Sequence, residues 1–291
     1  MNIKGSFAAR RVAVTGAGGF LGARLVRALR DAGAVVDAYS RADGFVLLRD
    51  EMDLAGVEHV FHLAAETGVP ASWEAPEKFH LANAHGTVRV LDQCRRAGCS
   101  LSYIGAYIYG TPSSLPISET HALEPNNPYA FSKWMGEQAC AWYAQYYRVP
   151  VTAIRLFNVY GPGQSNQFIV PRIVEQALDP GSPEIVLMDL NPKRDYLYVD
   201  DALKAFMMSA FPTDFHLYNV GSGESHSVQA VVDAVQIAAG TRKPVRAIGE
   251  ERRNEIPDVR ADCTRLTTET GWMPQHTLQE GIAATVEGMK S

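Results

Sequence analysis

The chain is expected to fold as a doubly wound α/β domain on a parallel sheet. Two observations predict this. A short β-branched run at 12–15 enters the glycine-rich stretch G-A-G-G-F-L-G directly, and apolar residues at helical spacing (Leu21, Leu25, Val26, Leu29) follow until a glycine stop at Gly33. Further short apolar runs at 34–40 (AVVDAYS), 59–65 (HVFHLAA) and 101–104 then alternate with helical patterns, the rhythm of a parallel sheet covered on both faces.

Bulk properties narrow the class. The 291 residues can bury a large core as one domain or two lobes, and 46% hydrophobic with 20% charged residues is ordinary for a globular protein. A net charge of −5 argues against nucleic acid as the main partner. No apolar run is long enough to cross a bilayer, and the basic start MNIKGSFAARR lacks the apolar stretch of a secretory signal. Cys94, Cys99, Cys140 and Cys263 fall into no metal-ligand spacing, so no metal site is expected; they read as reduced thiols in a cytoplasmic protein.

The first element that carries chemistry is the strand–glycine–helix unit. Gly16, Gly19 and Gly22 can turn tightly, bring bare backbone against a pyrophosphate, and let the helix pack close to the sheet. Phe20 and Leu21 open that helix, whose N-terminus supplies unpaired N–H groups and a positive dipole end. A dinucleotide is the expected ligand. The strand at 34–40 should end beside the adenosine ribose, where a carboxylate suits NAD and an arginine the 2′-phosphate of NADP. Eighteen residues past Gly22 stands Ser40, followed by Arg41, with Asp43 a candidate for the adenine edge; Asp37 lies inside the strand and too early. NADP is thereby slightly favoured over NAD, although Arg41 reads nearly as well as a solvated loop residue. Leu63, Ala64 and Ala65 end the next strand in small residues that suit a backbone passing under a cofactor.

The second such element is Asn127-Pro128-Tyr129, a helix start with Asn127 as cap and Pro128 in the first turn. Tyr129 and Lys133, four apart, share a face. An ammonium beside a phenol favours the phenolate and lowers its pKa, fitting the tyrosine for proton exchange.

Taken in order, T-G-A-G-G-F-L-G, H-L-A-A, Y-I-Y-G, P-Y-A-F-S-K, R-L-F-N-V-Y-G-P-G (155–163), R-D-Y-L-Y-V-D-D (194–201), Y-N-V-G-S-G (218–223) and T-G-W-M-P (270–274) resemble the extended short-chain dehydrogenases/reductases, specifically the NAD(P)-dependent nucleotide-sugar epimerase/dehydratase group. The resemblance covers nearly the whole chain. It implies a Rossmann domain at 1–160, completed by about 194–219, and a smaller C-terminal α/β substrate-binding lobe from 161–193 and 220–291. A strand at 196–199 and a helix at 201–210 are expected to rejoin the first lobe. Asn158 would bind the substrate near its phosphates, Arg194 and Arg252 would grip the diphosphate, and Lys133 would also hold the nicotinamide ribose. Arg194 beside Asp195 has a plainer reading as a local ion pair. A homodimer through the helices flanking the tyrosine–lysine pair is also implied.

One position departs from the family. A serine or threonine usually stands five residues before the glycine of the Tyr-Gly ending, and here that position is Gly105. Losing one positioned hydrogen-bonding group of this kind would lower the rate by ~10²–10³. Three functions therefore stay open: an epimerase or dehydratase exchanging a hydride at a sugar carbon such as C4; an NADPH-dependent reductase of a nucleotide-linked 4-keto(-6-deoxy) sugar; and a catalytically impaired binder of cofactor and sugar nucleotide.

Overall fold

The computed structural model describes residues 3–249 and 255–290. Six strands form its central sheet: β1 (Arg11–Thr15), β2 (Val35–Tyr39), β3 (His59–His62), β4 (Ser100–Ile104), β5 (Val151–Leu156) and β6 (Phe215–Val220). All neighbours are parallel, in the order β6-β5-β4-β3-β1-β2. The chain moves outward from β1 to β2 and then returns to the other side of β1 as β3. This reversal leaves a crevice at the carboxyl ends of β1 and β3, the place where doubly wound sheets hold ligands.

Alternation along the strands feeds two apolar layers. Val12 and Val14 of β1 face one way and pack with the helices α1 (Phe20–Asp31) and α5 (Val199–Met208). Ala13 faces the other way, joining the layer of α2 (Gly86–Ala97) and α3 (Pro128–Tyr147). The first layer runs on into the second half of the chain, where α4 (Ile169–Leu178), α6 (Val228–Ala239) and α7 (Leu278–Lys290) bury Ile173, Val231, Val235 and Ile282.

The start of α3 follows from its residues. The Asn127 side chain accepts the Ala130 N–H at 2.8 Å, and Pro128, which has no N–H to leave unpaired, opens the first turn. The strand expected at 196–199 is Tyr196–Tyr198, and it does not enter the central sheet. It pairs with Asn158–Tyr160 in a separate two-stranded unit, and the helix after it begins at Val199. The sixth place in the sheet goes to β6. That strand carries His216 and Asn219 among its apolar residues, which blurs the alternation that would have marked it.

Its Asn219 closes a buried polar network. Arg155 of β5 and Glu137 of α3 form a two-pronged ion pair at 2.6 and 2.9 Å, with side chains 4% and 5% exposed. Arg155 also donates to the Tyr109 hydroxyl and the Glu119 carbonyl, both at 2.9 Å. Tyr109 in turn donates to the Asn219 amide oxygen at 2.6 Å. Helix, two strands and the 105–125 loop are thus tied at one charged centre. Truncation of Arg155 would strand the Glu137 carboxylate in the core. Arg155→Met is expected to lower the free energy of unfolding by about 3–5 kcal/mol in denaturant titration; a loss below about 1 kcal/mol would show that the centre is wet or pliable.

Candidate active site

The glycine loop lies directly on the exit of β3. Gly16 has φ +71°, and a Cβ there would sit 2.7 Å from the Ala64 nitrogen, so backbone meets backbone with no room for a side chain. On the other flank the Ala17 N–H donates to the Tyr39 carbonyl at 3.2 Å. Helix α1 starts at Gly19 with no side-chain cap and no acidic residue in its first turn. Its N–H groups and positive end therefore remain for an anion. Phe20 lies under the Arg24 guanidinium, 4.8 Å from the ring centre, Leu21 is half-buried and Gly22 is buried. Leu63, Ala64 and Ala65 form a half-buried floor beneath the loop. This cradle fits a dinucleotide pyrophosphate.

At the end of β2, Ser40 is buried and its hydroxyl holds the Asp43 carboxylate in a tight turn. Asp37 is occupied by Arg11 at 2.8 Å. Arg41 is 80% exposed at the rim of the crevice and pairs with Glu66 at 3.1 Å, while Lys78 takes the other oxygen of the same carboxylate at 3.0 Å.

Tyr129 and Lys133 do share one face of α3, but their electrostatics differ from the expectation. The Lys133 ammonium donates to the Ile104 carbonyl at 2.7 Å and lies 4.6 Å from the centre of the Tyr103 ring. Burial lowers its pKa to about 8. Tyr129, its ring edge-on to Phe79, is pushed up to about 12 by burial instead of being lowered. The ammonium is engaged elsewhere, so desolvation of the phenolate decides the direction.

Gly105, just past the end of β4, approaches the backbone of β5 closely. Its N–H donates to the Ile154 carbonyl at 2.7 Å, and a Cβ on it would lie 2.6 Å from that same oxygen. No side chain fits without moving a strand. Ser102 is no substitute, because it faces His59 and bonds it at 2.9 Å. The Tyr107 hydroxyl donates to the Gly110 carbonyl at 2.6 Å.

On the opposite wall Asn158 is exposed. The plainer reading of Arg194 and Asp195 as a local ion pair does not hold. Arg194 binds the Glu255 carboxylate and donates to the carbonyls of Lys193 and Ile256 at 2.7 and 2.6 Å. Asp195 is buried, accepting N–H groups of Gly223 and Ala261 at 3.0 Å each and the Ser222 hydroxyl at 2.7 Å. Arg252 lies outside the described residues. A polar cavity of about 400 Å³ lined by Thr111, Glu124, Pro125, Asn126 and Glu255 opens beside the start of α3.

Residues 12–221 match the sequence model of the NAD-dependent epimerase/dehydratase family. The chain belongs to that family. Among curated relatives of this family is a UDP-glucose 4-epimerase from Mycolicibacterium smegmatis, 34% identical, with 95% of this chain and 97% of the relative covered. A GDP-6-deoxy-D-mannose reductase from Pseudomonas aeruginosa is 29% identical, with 80% of each chain covered. The UDP-glucose 4-epimerase of Thermus thermophilus, solved in complex with NAD, superposes with a TM-score of 0.86 at 31% identity over 97% of this chain and 99% of that one.

Sequence spacing in this epimerase/dehydratase chain did not single out Asn83, which braces the segment leaving β3. It sits in a wider, π-helical turn, His80–His85, and its side-chain amide pairs with both the N–H and the carbonyl of Glu66, at 2.8 and 3.0 Å. A π-turn is a common mark of a functional position, but it has no sequence signal of its own.

Restoring a hydroxyl at Gly105 would raise turnover if its loss alone limited the rate, but the packing there opposes any side chain. Gly105→Ser and Gly105→Ala are both expected to lower stability by about 1–3 kcal/mol in thermal melts, without raising turnover. A serine variant that melts like the parent and turns over faster would show that the strands part easily.

Proposed function

We propose that this epimerase/dehydratase-family enzyme acts on a nucleotide-linked sugar by epimerase/dehydratase-type chemistry, exchanging a hydride at a sugar carbon, C4 by preference. The reading rests on Tyr129 and Lys133 sharing one face of α3, with the Lys133 ammonium on the Ile104 carbonyl at the carboxyl end of β4, the same end of the sheet as the glycine cradle. A bound NAD(P) would supply the hydride acceptor and donor. Gly16, Gly19, Phe20, Leu21 and Gly22 would hold its pyrophosphate, with Leu63, Ala64 and Ala65 below.

Tyr129 would exchange a proton with the sugar oxygen. A phenol near pKa 12 is a donor at neutral pH, and it becomes an acceptor once positive charge gathers beside it. Lys133 would supply part of that charge only on leaving the Ile104 carbonyl, and would also hold the nicotinamide ribose. Its ammonium is the protonated form below about pH 8, so rates that depend on it should fall as pH rises through that value. Asn158 and Arg194 would meet the nucleotide diphosphate, with Arg252 beside them. Residues 1–160, completed by about 194–219, would form the dinucleotide-binding unit, and 161–193 with 220–291 the substrate lobe.

A second reading, an NADPH-dependent reductase of a 4-keto(-6-deoxy) sugar nucleotide, rests on Ser40 and Arg41. Ser40, not a carboxylate, ends β2, the nearby Asp43 carboxylate is taken up by the Ser40 hydroxyl, and the exposed Arg41 guanidinium, paired with Glu66 at the surface, would suit a 2′-phosphate. The experiment that separates the two incubates the protein with NADPH or NADH and UDP-, GDP-, dTDP- and CDP-linked hexoses and their 4-keto forms. Isomerised or dehydrated sugar without net nicotinamide oxidation supports the first reading; steady loss of nicotinamide absorbance supports the second. Tyr129→Phe should reduce either rate by ~10²–10⁴. Full binding with no turnover on the panel would favour an impaired binder.

We also propose a homodimer. Phe131, Met135, Trp142 and Tyr146 form an exposed apolar stripe along α3, 39–62% exposed, and Met135 borders a groove of about 630 Å³ that includes His80, Leu81 and Val88. No helix among the described residues is long and apolar enough to cross a membrane, so the stripe is not part of a spanning helix. The enzyme is expected to be cytoplasmic. Sedimentation should show a dimer that Met135→Glu converts to monomer; a parent protein monomeric at tens of micromolar would refute it.

A further inference from the structure

A line of buried polar side chains runs from the glycine cradle to the Tyr129 helix. Thr15, the residue before Gly16, contacts His62 Nδ1 at 2.7 Å. His62 Nε2 contacts the Thr87 hydroxyl at 3.1 Å, and Thr87 donates to the Asn83 carbonyl at 2.6 Å. The Asn83 side-chain amide donates to the Ser132 hydroxyl at 2.9 Å, and Ser132 donates to the carbonyl of Tyr129 at 2.7 Å. All five side chains are buried.

The direction of the bonds is fixed by the groups at the ends. A carbonyl only accepts, so the Thr87 proton points to Asn83 and its oxygen must accept from His62. The His62 hydrogen is therefore on Nε2, which makes Nδ1 an acceptor for the Thr15 hydroxyl. The Thr15 oxygen is then free to accept the Ala64 N–H, which it meets at 3.3 Å. Both ends of the floor are thereby held: Ala64 by Thr15, and Glu66 by Asn83.

We infer that Thr15, His62, Thr87, Asn83 and Ser132 act as one directed hydrogen-bond relay. It keeps the Tyr129 helix in register with the dinucleotide cradle, and His62 is its central positioning residue. Scattered polar pairs would satisfy burial equally well. What a relay adds is coupling: loosening one end should be felt at the other. Burial, helped by the Lys133 charge, lowers the ring pKa to about 3 and so keeps it neutral, which leaves its hydrogen bonds to choose the tautomer.

Two measurements on the full-length protein test this. In protein labelled with ¹⁵N-histidine, the ring of His62, assigned by its loss in His62→Phe, should show the Nε2–H tautomer unchanged between pH 5 and 9. An Nδ1–H ring, or one that titrates in that range, overturns the relay. In the second, dissociation constants for NADPH and NADH are measured for Thr15→Val, Ser132→Ala and the double variant, with melting temperatures alongside. Both single changes should weaken binding, and the double effect should fall short of their product by about threefold or more. Effects that multiply, or a Ser132→Ala variant that binds as the parent does, would leave only independent structural pairs. The relay rests on the cofactor reading for this second arm alone. A parent protein that bound neither nucleotide would remove that reading, and the tautomer result would stand apart from it.

Discussion

Two contacts of backbone on backbone set the geometry of this protein. At Gly16 the glycine-rich turn rests on the nitrogen of Ala64, and at Gly105 the end of β4 closes on the carbonyl of Ile154. The first brings the glycine loop, the exit of β3 and the start of α1 close enough for one ligand to touch all three. The second fixes where the chain after β4 leaves the sheet. Each contact depends on a missing Cβ, and each places a functional surface by excluding a side chain.

Gly105 shows how one residue can read as a loss in sequence and as a constraint in space. Counted along the motif, it is a vanished hydroxyl. Seen from β5, it is the only residue type that lets the two strands pair there. The two readings are compatible: the tighter strand contact and the missing hydroxyl are the same feature. On the proposed reading the proton chemistry would then fall on Tyr129, whose phenol burial keeps neutral.

Lys133 illustrates the competition that decides such sites. An ammonium taken from water needs replacement partners. Here it finds the Ile104 carbonyl and the face of Tyr103, both supplied by β4. It is held by the sheet in a fixed place, and its orientation depends on β4 more than on its own helix. The Arg155–Glu137 pair ties that helix to β5 from the next turn along, and the Asn83 amide ties it to the floor of the crevice.

Much of this was legible from local order in the chain. The glycine loop between a β-branched strand and an amphipathic helix, the Asn-Pro cap before Tyr129, and the alternation of strands with helices are all written within short windows, because turn geometry, capping and periodicity act over a few residues. What tertiary structure alone decided acts between distant segments. It gave β6, not residues 196–198, the last place in the sheet. It paired Arg194 with Glu255 in preference to Asp195, turned the Tyr129 pKa upward, and closed the space at Gly105. In each case the deciding partner lies tens of residues away in the chain, so the outcome was set by desolvation and contact in three dimensions and not by sequence spacing.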